Sequence, residues 1–310
     1  MKAVRYHSYG GSEVLVCEQV RRPVAGPGQV VLKVSGTSFN MLDVAIRAGI
    51  LREMIPVAFP HIPNCDVAGV VTEVGAGVRG WNVGDAVIAL LPPDVPGAAA
   101  EYVAAPAEAL AAAPRTVPAA DASALPLVGS TAWQALFEYA ELQAGQHILI
   151  NGAGGGVGGY AVQLAVRAGA VVTATASPRS RERIRSYGAE RIVDYTTTAV
   201  PHATDGQRFD VVLQLVRDSS ENTAQLAELV ADGGTFVSTA TPGPDHAGRG
   251  VRVRQVLVRS DAAQLAELVS RVDAGDLTVD VAERRSLTDL AAVHDRAVAG
   301  QLSGKTVLIP

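Results

Sequence analysis

The sequence predicts an α/β protein in which a doubly wound parallel sheet stands beside a β-rich lobe. Three observations carry this. The stretch His147–Ala168, HILINGAGGGVGGYAVQLAVRA, reads as a short apolar strand, a glycine turn and a helix. Downstream of it, strand-like and helix-like runs alternate, the order that builds a parallel sheet covered by helices. Upstream, short β-like runs are separated by Pro and Gly turns.

Taken in order, the first lobe contains strand-like runs at Val30–Gly36, Val67–Gly75 and Asp85–Leu91. Pro27-Gly28, Gly75-Ala76-Gly77 and Gly84-Asp85 supply the chain reversals between them. A helical patch at Asn40–Ala48 interrupts the series, and the Ala-rich stretch Ala104–Ala113 reads as a connector. Between Asp121 and Leu142 the spacing turns helical, with Leu125, Leu127, Val128, Trp133, Leu136 and Phe137 on an apolar face. After the glycine stretch come a strand at Ala170–Ala176, a charged helix at Ser180–Tyr187 and a strand at Arg191–Val193. Strands at Asp210–Leu215 and Gly234–Thr239 follow, with the amphipathic helix Asn222–Ala231 between them. The closing GKTVLIP is a strand expected to return to the first lobe. Residues 1–122 are therefore read as a β-rich first domain, 123–270 as an α/β second domain and 271–310 as a segment returning to the first.

The chain has 310 residues and is 48% hydrophobic, enough for two ordinary cores. A net charge of -5 without long runs of one sign lacks the footprint of a nucleic-acid binder. Cys17 and Cys65 are too few for a disulfide framework, which points to a reducing compartment. MKAVRYHSYG lacks the pattern of a signal peptide, and no apolar run reaches spanning length, so the expectation is a cytoplasmic protein without membrane partners.

The glycine turn fits a dinucleotide fingerprint in two registers. Ala153, Gly155 and Gly158 match it with alanine at the first position, whereas Gly154, Gly156 and Gly159 match it unmodified. In either register the backbone from Ala153 through Val157 to Gly158 can approach a pyrophosphate at a helix N-terminus, where unpaired amides favour negative charge. A turn that merely packs a helix on a sheet needs small residues too. An NAD enzyme carries an acidic residue about twenty positions beyond the glycines. Here the segment reads Thr175-Ala176-Ser177, followed by Arg179 and Arg181. One hydroxyl and two guanidinium groups suit the 2′-phosphate of NADP, and the same arginines also fit a solvated helix face.

Across the whole chain these segments resemble the zinc-independent quinone oxidoreductases of the medium-chain dehydrogenase/reductase superfamily. The resemblance rests on FPHIPNCDVAGVVTEVGAGVRGWNVGDAVIAL at Phe59–Leu90, AAAEYVAAP at Ala98–Pro106 and ALPLVGSTAWQALFE at Ala124–Glu138. The glycine stretch, the block Ala174–Tyr195 and GKTVLIP add to it. It implies a GroES-like substrate lobe, a Rossmann domain, a cleft between them, and homodimers formed through the cofactor domains. It also implies NADPH as the cofactor and a quinone or an enone as the small-molecule substrate.

By the same resemblance Asn40 contacts the nicotinamide ribose and Thr131 lies close to the nicotinamide; both also read as helix N-caps, Thr131 together with Ser130. Tyr195 falls near the adenosine, and Ser238 and Thr239 border the carboxamide. Asp43 and Arg47, four apart, read as a structural pair. The zinc-dependent relatives have a cysteine near Phe39–Asn40 and a His-Glu pair where this chain reads Asn64-Cys65-Asp66, so no metal is expected, and Cys65 and His61 read as packing or cleft-lining residues. Two segments depart from the pattern: Ile50-Leu51-Arg52-Glu53 lacks a tyrosine, and Gln214-Leu215-Val216-Arg217-Asp218 lacks an acidic residue with glycines. The functional expectation is hydride transfer from NADPH to a quinone or to an enone double bond. Alternatives are an enoyl reductase of a polyketide-type pathway and a non-catalytic NADPH-binding module.

Overall fold

The computed structural model describes residues 1–204, 206–245 and 247–310. Contacts divide the chain into two compact units, Met1–Leu127 with Ser260–Pro310, and Val128–Arg259.

In the first unit β1 (Lys2–Arg5) and β2 (Val16–Gln19) pair antiparallel. A larger sheet is built on β3 (Gln29–Ser38), β4 (Asp66–Val74), β5 (Ala86–Leu90), β6 (Tyr102–Pro106) and β7 (Leu110–Ala112). Alternation decides its sidedness: Val30, Leu32 and Val34 of β3 enter one core with Val67, Val71, Val87 and Ala89. The stretch read as a connector, Ala104–Ala113, is instead β6, a short 3-10 turn and β7. Alanine is a poor strand former alone, but Ala105 pairs with Val30 and Ala111 with Ile88, and both are buried. α1 (Met41–Arg47) stands between β3 and β4.

α2 (Pro126–Trp133) leads into the second unit and continues as a π-helical turn over Gln134–Tyr139. There β8 (His147–Asn151), α3 (Gly156–Arg167), β9 (Val171–Thr175), α4 (Arg181–Ser186) and β10 (Arg191–Val193) follow. α5 (Val200–Ala203), β11 (Phe209–Gln214), α6 (Ser220–Ala227), β12 (Val230–Ser238) and β13 (Arg252–Gln255) complete it. The strands lie in the order β10-β9-β8-β11-β12-β13, all parallel. This is the doubly wound order whose switch point falls between the first and fourth strands, β8 and β11. α6 ends at Ala227, four residues before the helix read from sequence, because Val230 already pairs with Phe209. β13 went unread because its sequence, RVRQ, carries one apolar residue, Val253, which packs on the core while its neighbours are exposed.

The returning segment contains α7 (Ala262–Asp273), β14 (Val281–Ser286), α8 (Leu290–Val298) and β15 (Lys305–Ile309). The first unit resumes at Ser260, before α7, and not at residue 271. α7 packs against β7, and the Asp273 carboxylate at its end accepts the Arg115 and Thr116 N–H groups at 2.8 and 3.2 Å. β15 then pairs antiparallel with β3 and parallel with β14, and Arg284 of β14 reaches Asp121 at 2.7 Å.

Candidate active site

The glycine turn begins at Gly152, whose φ of +93° only glycine adopts without strain. Sequence reasoning passed over it, although Asn151-Gly152 is a turn dipeptide. Gly155 is the N-cap of α3, so the first N–H groups of that helix face the turn. Steric demand separates the two registers. A Cβ on Gly158 would stand 2.3 Å from the Gly152 carbonyl oxygen and 2.5 Å from Ala153 Cα, all backbone that cannot yield. A Cβ on Gly159 would meet only Tyr187 Cε2 at 3.5 Å, an ordinary contact. The geometry thus favours Ala153, Gly155 and Gly158. Gly158→Ala is expected to destabilise the chain by about 1–3 kcal/mol through overpacking. Gly159→Ala should be neutral or stabilising, since alanine is the better helix former. Urea unfolding of the two variants checks this, and equal losses would refute the register.

The turn is held from below by a residue that sequence reasoning missed. Arg183 of α4 donates from Nη2 to the Gly154 carbonyl at 2.6 Å, and Ser180 Oγ would be 2.6 Å from any Cβ on Gly154. At the end of β9, Thr175 Oγ1 accepts the Gly152 N–H at 2.8 Å and donates to Asn151 Oδ1 at 2.9 Å. Asn151 Nδ2 in turn donates to Gln214 Oε1 at 2.7 Å, so a hydrogen-bond chain crosses the switch point. Beyond β9, Ser177 is half-buried and Arg179 exposed. Arg181 pairs with Asp194 at 2.8 Å. That bond comes from Nη2 at the end of β10, while the Arg181 Nε has no hydrogen-bond partner. Tyr195 is exposed.

On the other side of the switch point, Ser238 is fully buried and its hydroxyl is committed locally. It donates to the Thr241 carbonyl at 2.6 Å and accepts the Ala240 N–H at 3.3 Å. Thr239 is half-buried, with its N–H on the Gln214 carbonyl at 3.1 Å. Thr131 is buried inside α2, which begins five residues earlier at Pro126, so neither it nor Ser130 is an N-cap. Trp133, expected on the apolar face of this helix, is half-buried and packs edge-on against Phe137 at 4.9 Å.

In the first unit Asn40 is the N-cap of α1 and the centre of a buried polar cluster. Its Nδ2 donates to Asp66 Oδ2 at 2.8 Å, its Oδ1 accepts from Lys305 Nζ at 2.8 Å, and its N–H donates to Asp43 Oδ2 at 2.8 Å. Asp66 also accepts from Ser38 Oγ at 2.5 Å and from the Leu127 N–H of α2 at 2.7 Å. Lys305 Nζ stands 3.5 Å from Asp66; burial pulls its pKa down, against the attraction of Asp66 and Asp43. Burial, opposed by the Asn40 N–H, pushes the Asp43 carboxyl up to about 7. The expected Asp43–Arg47 pair is not formed. Asp43 turns to the N-terminus of its own helix, while Arg47 is buried with Nε and Nη1 lacking hydrogen bonds. A pocket beside this cluster is lined by Tyr6, Asp43, His61, Asn64, Cys65 and Val95 among others. Burial keeps His61 neutral, with a pKa of about 4, and pushes the Cys65 thiol well up. Among the described residues no group of three His, Cys, Asp or Glu side chains is placed to hold a metal ion.

Residues 26–115 match the model of the alcohol dehydrogenase GroES-like domain, and residues 187–308 match that of the zinc-binding dehydrogenase. The chain is 34% identical to the chloroplast envelope quinone oxidoreductase homolog of Arabidopsis thaliana, over 100% of this chain and 98% of that one. It belongs to the zeta-crystallin-like quinone oxidoreductase family. Another relative of this oxidoreductase is the 2-methylene-furan-3-one reductase of Solanum lycopersicum, 32% identical over 100% of this chain and 79% of that one. Among solved structures, the quinone oxidoreductase from Coxiella burnetii superposes with a TM-score of 0.91 at 28% identity, covering 100% and 99% of the two chains. The oxidoreductase takes a nicotinamide cofactor, as its family does. Among the described residues no helix is long and apolar enough to cross a membrane.

Proposed function

We propose that this chain is an NADPH-dependent reductase that transfers hydride to a quinone or to the carbon–carbon double bond of an enone. The observation that carries the choice of cofactor is the end of β9, where Ser177 and Arg179 stand open and no carboxylate occupies the position that would meet a ribose 2′-hydroxyl. The class of substrate rests on full-length similarity to a quinone oxidoreductase homolog and to an enone reductase.

The residues fit the cofactor. Ala153, Gly154, Gly155, Gly156, Val157 and Gly158 offer backbone N–H groups at the N-terminus of α3 to the pyrophosphate. Arg179 and Ser177 take the 2′-phosphate, and Tyr195 lies beside the adenosine. Thr239 and the backbone of Ser238 border the carboxamide. Thr131 and Asn40 orient the nicotinamide and its ribose; with its amide already bonded to Asp66 and Lys305, Asn40 is rigid in that task. Bound NADPH supplies the hydride, and the second proton comes from water. NADPH oxidation with 9,10-phenanthrenequinone and with small enones, measured beside NADPH binding, tests the reading. Turnover with either class supports it, and binding without any turnover overturns it.

A further inference from the structure

Between β8 and α3 the chain runs through Gly154, Gly155 and Gly156, three residues with no Cβ to narrow their backbone conformations. A turn that receives a pyrophosphate needs those peptides in one orientation, and ordering them only as the ligand arrives subtracts from affinity. The turn is held from outside at two points. At its start Thr175 Oγ1 accepts the Gly152 N–H at 2.8 Å. Its middle is held from α4.

Arg183 Nη2 donates to the Gly154 carbonyl at 2.6 Å. At the other end of the same peptide, the Gly155 N–H donates to the Gly152 carbonyl at 3.1 Å. A peptide is planar, so bonds at both its ends fix the plane that links Gly154 to Gly155. Gly155 is the N-cap of α3, and the Gly156, Val157 and Gly158 N–H groups of the first helical turn follow directly from it. An orientation set between Gly154 and Gly155 is thus passed on to the amides that meet a pyrophosphate. The bare Cα of Gly154 is what admits α4 at this distance: a Cβ there would stand 2.6 Å from Ser180 Oγ and 3.1 Å from Ser180 Cβ. Ser180 is the N-cap of α4 and Arg183 lies three residues on, so both reach the turn from one face of the helix.

We infer that Arg183 is a positioning residue for the dinucleotide: it acts through the Gly154 carbonyl, presetting the glycine turn for the pyrophosphate, and does not itself take the 2′-phosphate. This role rests on the cofactor reading above, but its structural half, an ordered turn, holds with no nucleotide present. A charged donor makes a hydrogen bond roughly twice as strong as a neutral one, so its removal is felt. Two arginines then divide the work. Arg179 discriminates NADPH from NADH, whereas Arg183 strengthens both alike, because the pyrophosphate is common to both.

The test replaces Arg183 by methionine, which keeps an aliphatic stem and removes the donor, and by lysine, which restores a charged donor. In calorimetric titrations of the full chain, Arg183→Met is expected to weaken NADPH and NADH by the same factor, about tenfold, the worth of one hydrogen bond to a charged group. Arg183→Lys should recover most of that loss. With no nucleotide present, exchange of the Gly155 amide hydrogen, followed by NMR, should be about tenfold faster in Arg183→Met than in the wild type, and slower again in Arg183→Lys. A side chain that only supports the fold would lower the melting temperature and leave both affinities unchanged, and that result overturns the role. A loss confined to NADPH overturns it too, since Arg183 would then be a ligand of the 2′-phosphate. So does weaker binding with Gly155 exchange unchanged, which would leave the charge acting through space. A wild type that prefers NADH, and loses it in Arg183→Met, supports the role and counts against the NADPH reading alone.

Discussion

Replacing Arg179 by alanine is expected to weaken NADPH by about 10- to 100-fold, the usual worth of hydrogen bonds to a charged group, while NADH changes by less than about twofold. The selectivity follows from chemistry. NADPH differs from NADH by the 2′-phosphate, and a guanidinium meets a phosphate through paired N–H donors. Arg181→Ala should have the smaller effect on NADPH, because its guanidinium is already paired with Asp194 at 2.8 Å. Fluorescence titration of each cofactor against each variant requires no turnover. Equal losses of NADPH and NADH in Arg179→Ala would refute the 2′-phosphate role.

Asp66→Ala is expected to cost about 3–5 kcal/mol of stability in urea unfolding, the range for removing one partner of a buried ion pair. Asp66 is fully buried and gathers Ser38, Asn40, the Leu127 N–H and the Lys305 ammonium. Its loss leaves a buried Lys305 facing Asp43 alone and three further donors with one acceptor fewer. Lys305→Met in the same background should recover part of the loss, because the uncompensated charge goes with it. A cost below about 1 kcal/mol would show that water reaches the site and that the cluster is not the support argued for Asn40.

The cluster also marks where sequence reading ended. Asn40 was legible as a helix start and, by resemblance, as a cofactor contact, and it is indeed the N-cap of α1. Lys305 was legible only as part of a closing strand. Nothing local shows that a lysine 265 positions away donates to the Asn40 amide, since that contact exists only because β15 pairs with β3. The Asp43–Arg47 pair failed for a related reason. Spacing of four permits the contact, but the backbone N–H of Asn40 competes for the same carboxylate and wins.

By itself the sequence determined the features that depend on short-range sterics and periodicity. Short β-like runs between Pro and Gly turns placed β3, β4 and β5, and glycine spacing located the turn before α3, because turn geometry and Cβ clashes act over a few residues. Tertiary structure alone decided the rest. It set the Gly152 carbonyl against Gly158, where a Cβ would stand 2.3 Å away, and it paired Arg181 with Asp194. It made strands within Ala104–Ala113 by pairing them into the buried sheet. Each of these turns on which groups from distant parts of the chain compete for one partner or one volume, and no local pattern encodes that competition.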